Sequence, residues 1–355
     1  MHIVKKSLFV SLVMMALVVS TVAASIVSFD IHPQSPLYRP YLADPFGTDF
    51  SLGYVQLLSQ EDRPAFVYKV TGKNDSLKYE GFNINQYYTS GTTMLAMRGG
   101  SSIPLGRLSF NGWKFIPSIA IEGNVRGGFR SMFFAYSGTD LLGFDGTYYL
   151  GVNIKVSDYF TFSVGKKHHS GHIGDEILAI IDKNEPVNGT LFNDDLIDYV
   201  RQDPLSYALS TQFDKLRVYG ELRLGHTGRI LKPYFGSDET YKAREIQVGA
   251  EYALNVPLLG HLTFALDVTF HEMGKFLPQG SGEMVNGEYA SYTFTYDKDA
   301  PWEREYNFVI AQSLYARSDG ATAHIVASFH SGRFPLFAFH MSNSSFVSIG
   351  ALITI

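Results

Sequence analysis

The sequence predicts an all-β chain, an antiparallel transmembrane β-barrel of about twelve strands, or fourteen if an extra hairpin lies inside 64–90. Three observations predict it: a composition rich in Tyr, Phe and Gly without long apolar runs, a repeated two-residue alternation of apolar and polar side chains, and connections that alternate between short and long. The 355 residues include 22 Tyr, 27 Phe and 33 Gly, with 45% hydrophobic residues and no Cys. Mean hydropathy is −0.01, too polar for several helical spans of about 20 apolar residues each. The absence of Cys excludes disulfides, Cys-ligated metals and thiol nucleophiles. A net charge of −5 offers no basic field for nucleic acid.

The chain opens as an export signal over 1–24. Lys5 and Lys6 precede an apolar stretch from Leu8 to Val19, and Val22-Ala23-Ala24 offers small residues for cleavage before Ser25. The other reading of this stretch is an uncleaved anchor, for which it is short. Residues 25–49, with Pro33, Pro36, Pro40 and Pro45, read as an extended, strand-poor periplasmic lead-in. The remainder, 50–355, reads as one barrel domain.

Strands follow from side-chain period. Trp113, Phe115, Ile119, Ile121 and Val125 interleave with Lys114, Ser118, Glu122, Asn124 and Arg126. Leu216, Val218, Leu222 and Leu224 do so with Arg217, Tyr219, Glu221 and Arg223, and Leu262, Phe264, Leu266, Val268 and Phe270 with Thr263, Asp267, Thr269 and His271. Such runs are half-apolar strands. They are expected at roughly 50–58, 93–103, 113–126, 145–156, 159–170, 204–214, 216–226, 244–254, 260–272, 304–316, 322–332 and 345–355. Gly99-Gly100 and Gly127-Gly128 read as bends or bulges.

The connections at Ser157-Asp158, Lys215 and Pro257–Gly260 are tight, while 59–92, 127–144, 171–203, 227–243 and 273–303 are long. A barrel that begins its first strand from the periplasm puts every long one outside, as bacterial outer-membrane barrels do. The charges on the polar faces, among them Glu122, Arg126, Arg217, Glu221, Arg223, Glu245, Glu251 and Asp267, then face the lumen. The last strand ends on alternation, with Val347, Ile349, Ala351, Ile353 and Ile355 against Ser348, Gly350, Leu352 and Thr354. It resembles the C-terminal signal read by the barrel assembly machinery, although the usual terminal aromatic is missing.

One constellation suggests chemistry. In the fifth strand Phe160, Phe162 and Val164 set the lipid face, and the same parity continues through Lys166, His168 and Ser170 to the outer rim. A two-residue spacing puts His168 and Ser170 side by side on one strand face. A neutral imidazole there can take a hydroxyl proton and make the oxygen a nucleophile. Sixth-strand parity, with Leu205, Tyr207, Leu209 and Phe213 outward, puts Asp203 on the lipid side at the top. Asp203 is the candidate to orient the imidazole, with Asp175, Glu176 and Asp182 as rivals. Gly171 is a candidate to offer a backbone N–H to an oxyanion after a bend.

The His168-x-Ser170 motif near the outer rim resembles outer-membrane phospholipase A and the lipid A 3-O-deacylase barrels. The resemblance implies Ser170 as nucleophile, His168 as base and lipid acyl esters as substrates, and the phospholipase barrels add calcium as the implied cofactor. Both families usually place Asn after the Ser, where this chain has Gly171. A broader resemblance rests on Leu42-Ala43-Asp44-Pro45, His168-x-Ser170-x-His172-Ile173-Gly174-Asp175-Glu176 and Ile246-Gln247-Val248-Gly249-Ala250-Glu251-Tyr252. These motifs look like an uncharacterised bacterial barrel family, a domain of unknown function, which implies the fold and no activity.

Three other readings stand beside the hydrolase. His172, Asp175 and Glu176 offer imidazole and carboxylate ligands for a metal, calcium included. The same polar residues at the rim are tolerated as plain structure, because charges cost little near the interface. The charged lumen with Arg217, Arg223, Glu245 and Glu251 suits a narrow passive channel or a structural surface barrel. Outer-membrane lipids are the expected partners in every case.

Overall fold

The computed structural model describes residues 27–45, 47, 49–61, 66–71, 77–82, 93–111, 118–134, 140–177, 199–225, 244–272, 276–279, 284–285, 288–289, 293–296, 302–316, 321–339 and 342–354. The export signal, Trp113, Phe115, Asp182 and Ile355 lie outside them. Twelve strands form the barrel: β1 (Phe50–Gln60), β2 (Thr93–Phe110), β3 (Ile119–Phe134), β4 (Leu141–Lys155), β5 (Phe160–Ile173), β6 (Leu205–Phe213), β7 (Leu216–Leu224), β8 (Glu245–Val256), β9 (Gly260–His271), β10 (Glu303–Ala316), β11 (Thr322–Arg333) and β12 (Asn343–Thr354). Each pairs antiparallel with its neighbour in sequence, and β12 pairs β1 from Phe50↔Ile353 to Gln60↔Ser344, which closes the cylinder. The hairpin expected inside 64–90 exists as Phe66–Thr71 paired with Leu77–Phe82, but it is a separate two-stranded sheet and adds nothing to the barrel.

Period-2 patterning decides which face is which, and the barrel has membrane polarity. Outward positions such as Leu52, Tyr54, Ile103, Leu150, Val152, Phe162, Leu209, Val218, Val248, Phe308, Ile325 and Ile349 are exposed, while Glu122, Asn153, Arg217, Glu221, Arg223, Glu245, Asp267 and Glu305 are buried inside. A water-soluble barrel would show the reverse. The connections sort as expected: β6 to β7 turns through Asp214 and Lys215 and β8 to β9 through 257–259 at one end, and the long segments leave from the other.

Two expectations change. The glycine pairs are not bends: Gly100 faces Gly128 within an unbroken ladder, and the register shifts elsewhere, between Pro104 and Gly106. A Cβ at Gly99 would lie 2.8 Å from the Phe129 ring, so the missing side chain admits that ring. The strands therefore run on, and the connection expected over 127–144 shrinks to 135–140.

Residues 27–49 do more than lead in. Val27–Asp30 pairs with the lower end of β2, from Val27↔Phe110 to Asp30↔Arg107. The chain then enters the lumen, where Tyr38, Tyr41 and Ala43 are buried. Prolines remove backbone donors, and the barrel wall answers the groups that remain. Arg217 donates to the carbonyls of Arg39 and Pro40, Arg98 to that of Asp44 and Arg130 to that of Pro45. Glu122 accepts the Leu37 N–H and Glu251 the Leu42 N–H. The Tyr41 ring stacks on Tyr219 with centroids 3.9 Å apart. Cavities of about 320, 110, 40 and 30 Å³ line this plug, the largest of them at Ser35 to Arg39.

A second inner element fills the long-loop end. The β11–β12 connection folds back through a turn of 3-10 helix (Phe337–Phe339) into a core with Val55, Met94, Met132, Phe134, Leu142, Ile173 and Phe346.

Candidate active site on the lipid face of β5

The outward row of β5 meets the outward row of β4 residue by residue. Val152 faces Val164, Leu150 faces Lys166, Tyr148 faces His168, Gly146 faces Ser170 and Phe144 faces His172. Two of these cross-strand pairs are ring stacks. Tyr148 and His168 have centroids 4.5 Å apart at 14°, and Phe144 and His172 have centroids 4.5 Å apart at 5°. Between the two stacks the β4 side is a glycine. The β4 side of this one-residue gap therefore carries no side chain, and Ser170, 8% exposed, lies against Gly146 there. A Cβ at Gly146 would stand 3.3 Å from Ser170 Oγ.

His168 is held from two sides. Its ring lies on Tyr148, and its Nδ1 is 2.7 Å from Asp203 Oδ1. Asp203 lies just before β6, between Gln202, which pairs with His169, and Leu205, which pairs with Lys166. An Nδ1–H donated to a carboxylate leaves Nε2 with its lone pair free, the tautomer a general base requires. His168 has 13% of its side chain exposed and Asp203 31%, so the contact is partly screened from solvent.

Ser170 does not close the chain of contacts in this state. Its Oγ donates to the Gly146 carbonyl across the strand at 3.4 Å, a long bond. Catalytic hydrogen bonds are commonly long or misaligned before substrate arrives. Gly171 does not bend. It pairs with Asp145 on one side and Val200 on the other, so its N–H lies in the sheet and is not the oxyanion donor expected of it.

The inward row of β5 explains why this stretch is rigid. His169 stacks on Phe337 at 4.4 Å, and Asp145 accepts the Phe337 N–H at 3.0 Å. A Cβ on Gly171 would lie 2.7 Å from the Ala338 nitrogen, so only glycine lets the 3-10 turn press against the sheet behind Ser170. Nothing local in the sequence signals this contact; its signal is the pair of small and aromatic residues at Gly171 and Phe337, far apart in the chain.

The metal-ligand candidates are not brought together. His172 is stacked outward, Glu176 Oε2 accepts the Leu141 N–H at 3.2 Å, and Asp175 is exposed beside it. Among the described residues no three His, Asp or Glu side chains group to hold a metal ion. The donors among the described residues do not fit a calcium site.

No family model matches the chain, and no curated protein matches it. Among solved structures, an outer membrane phospholipase from Salmonella typhi, described as a dimer with bound calcium, is similar over 91% of this chain and 95% of its own, at 10% identity and a TM-score of 0.48. Outer membrane phospholipase A from Escherichia coli is similar over 90% and 95%, at 10% identity and 0.48. A FadL homologue from Pseudomonas aeruginosa is similar over 86% and 88%, at 10% identity and 0.29.

Proposed function

We propose that this chain is an outer-membrane barrel that hydrolyses lipid acyl esters at the outer leaflet, with Ser170 as nucleophile, His168 as base and Asp203 as the group that orients the imidazole. The observation that carries the reading is the 2.7 Å contact of Asp203 with His168 on the same outward face as Ser170. Depth supports it. At about 3.3 Å per residue and a strand tilt of about 40°, Ser170 stands about 25 Å above Phe160, at the top of an apolar band about 25 Å tall. An ester in the headgroup zone reaches that level without leaving the membrane.

In this mechanism Ser170 Oγ attacks the ester carbonyl while His168 Nε2 takes its proton. The imidazolium is stabilised by Asp203 and returns the proton to the departing alcohol. Water, deprotonated by the same nitrogen, then releases the fatty acid and restores Ser170. Gly146 gives the carbonyl carbon access to Oγ.

The test is the purified full chain with phospholipid or lipid A in mixed micelles, comparing wild type, Ser170→Ala and His168→Ala, with and without calcium. Loss of product in both variants is expected. Equal product from all three, or none from any while heat-modifiable migration confirms folding, rejects the site. Tags in 171–203 and 273–303 that are accessible on whole cells support the orientation, and accessibility reversed between these and a tag before residue 45 overturns it.

The passive-channel reading meets the filled lumen. The Arg and Glu side chains expected to line a pore are paired with each other and with the segment 33–45. Negligible single-channel conductance in planar bilayers is therefore expected of the intact chain.

A further inference from the structure

The outward face of β5 carries a charge that the proposed hydrolysis leaves unused. Lys166 stands on the lipid-facing row, exposed, with Leu150 and Leu205 as its cross-strand neighbours. Among the described residues no carboxylate lies within ion-pair distance of it. The nearest acid along this face, Asp203, is engaged with His168. Lys166 and Arg304 are the cations on the outward rows of the described barrel strands, and Arg304 sits one residue from the outer end of β10.

A cation on this surface is costly at mid-depth and cheap at the interface. By the same rise and tilt, the Lys166 backbone lies about 15 Å above Phe160, within the upper half of the apolar band. Its four-carbon stem can lie up along the strand and bring the ammonium close to the headgroup plane, beneath the gap at Ser170. No described residue supplies an anion there, and a lipid headgroup can.

The geometry points to Lys166 as a binding site for a net-anionic lipid, one whose phosphate is not balanced by an ammonium of its own. The phosphate rests on the Lys166 ammonium, and the lipid is held beside the gap of Gly146 and Ser170. This assignment uses the outer-leaflet placement of the face proposed above but does not need hydrolysis to occur.

The experiment is native mass spectrometry of the full chain released from micelles doped with phosphatidylglycerol or phosphatidylcholine. Wild type is expected to retain phosphatidylglycerol about fivefold better, the effect of one lysine at an anionic surface. Lys166→Gln removes that preference, while Arg304→Gln keeps it. A preference unchanged in Lys166→Gln, or no preference in wild type, overturns the site. Hydrolysis that survives Ser170→Ala while Lys166→Gln still abolishes the preference defeats the catalytic reading and leaves the lipid site standing.

Discussion

The two faces of β5 are built from nearly the same residues and do opposite things. Outward stand Lys166, His168, Ser170 and His172; inward stand Lys167, His169 and Gly171. The inward His169 is buried against Phe337 and near Asp145, behind a wall of packed residues where no substrate can come. The outward His168 has the same kind of acid and aromatic partners, but it stands on the outward row and keeps 13% of its side chain exposed. Composition alone does not distinguish a structural histidine from a candidate base. What distinguishes them is which side of a one-residue parity they fall on and what occupies that side.

The comparison is broken most severely at the outward face. Ser170→Ala or His168→Ala is expected to lower ester hydrolysis by about 10³-fold or more, as for nucleophile and base in triads generally. His169→Ala is expected to lower folding stability and leave the rate per folded molecule within a few fold. If His169→Ala abolishes turnover and His168→Ala does not, the parity assignment is wrong.

Asp203→Asn comes next. It keeps the shape of the contact but no longer stabilises an imidazolium, and a loss of about 10²- to 10⁴-fold in kcat is expected. Steady-state kinetics on micellar substrate checks it, and a wild-type kcat in this variant removes Asp203 from the mechanism.

The lumen gives the next effect. Arg217 is 3% exposed and bonds Glu251, Ser210 and two carbonyls of the plug. Arg217→Ala takes the guanidinium away from the part-buried Glu251 carboxylate and from two carbonyls of the plug, and about 3 kcal/mol of stability should be lost. Urea unfolding in detergent measures this. Deleting 33–45 should in addition raise conductance in planar bilayers, and silence there would mean that another element closes the lumen.

The finest test sets two glycines from adjacent cross-strand pairs, one facing outward and one inward, against each other. Gly171→Ala drives a methyl into the 3-10 turn behind the sheet and should cost about 1–3 kcal/mol. Gly146→Ala meets only Ser170 Oγ, at 3.3 Å, so stability should change little while hydrolysis falls. Thermal unfolding and rate measured on both variants separate the faces. Equal loss of stability in the two would erase the distinction.

Much of the molecule was legible before any coordinates. Alternation with period two shows in the residues themselves, so the strands, their inward and outward rows and the sorting of connections could be read off in order. The outward position of Asp203 followed from counting back from Leu205. Where the reading went astray, it took glycine pairs at 99–100 and 127–128 for bends, because a glycine that admits a neighbouring ring looks the same in sequence as one that turns the chain.

By itself, then, the sequence determined that this is a barrel with an apolar exterior, and which side chains share the rim of its lipid face. Tertiary structure alone decided that Asp203 touches His168, that Pro33 to Pro45 enter the lumen, and that Phe337 braces the strand behind Ser170. Parity is a local property, carried by each residue and its next neighbours. Contacts such as Arg217 with the Arg39 and Pro40 carbonyls join positions far apart in the chain, and they exist only once strand register and barrel closure have brought the walls around a common interior.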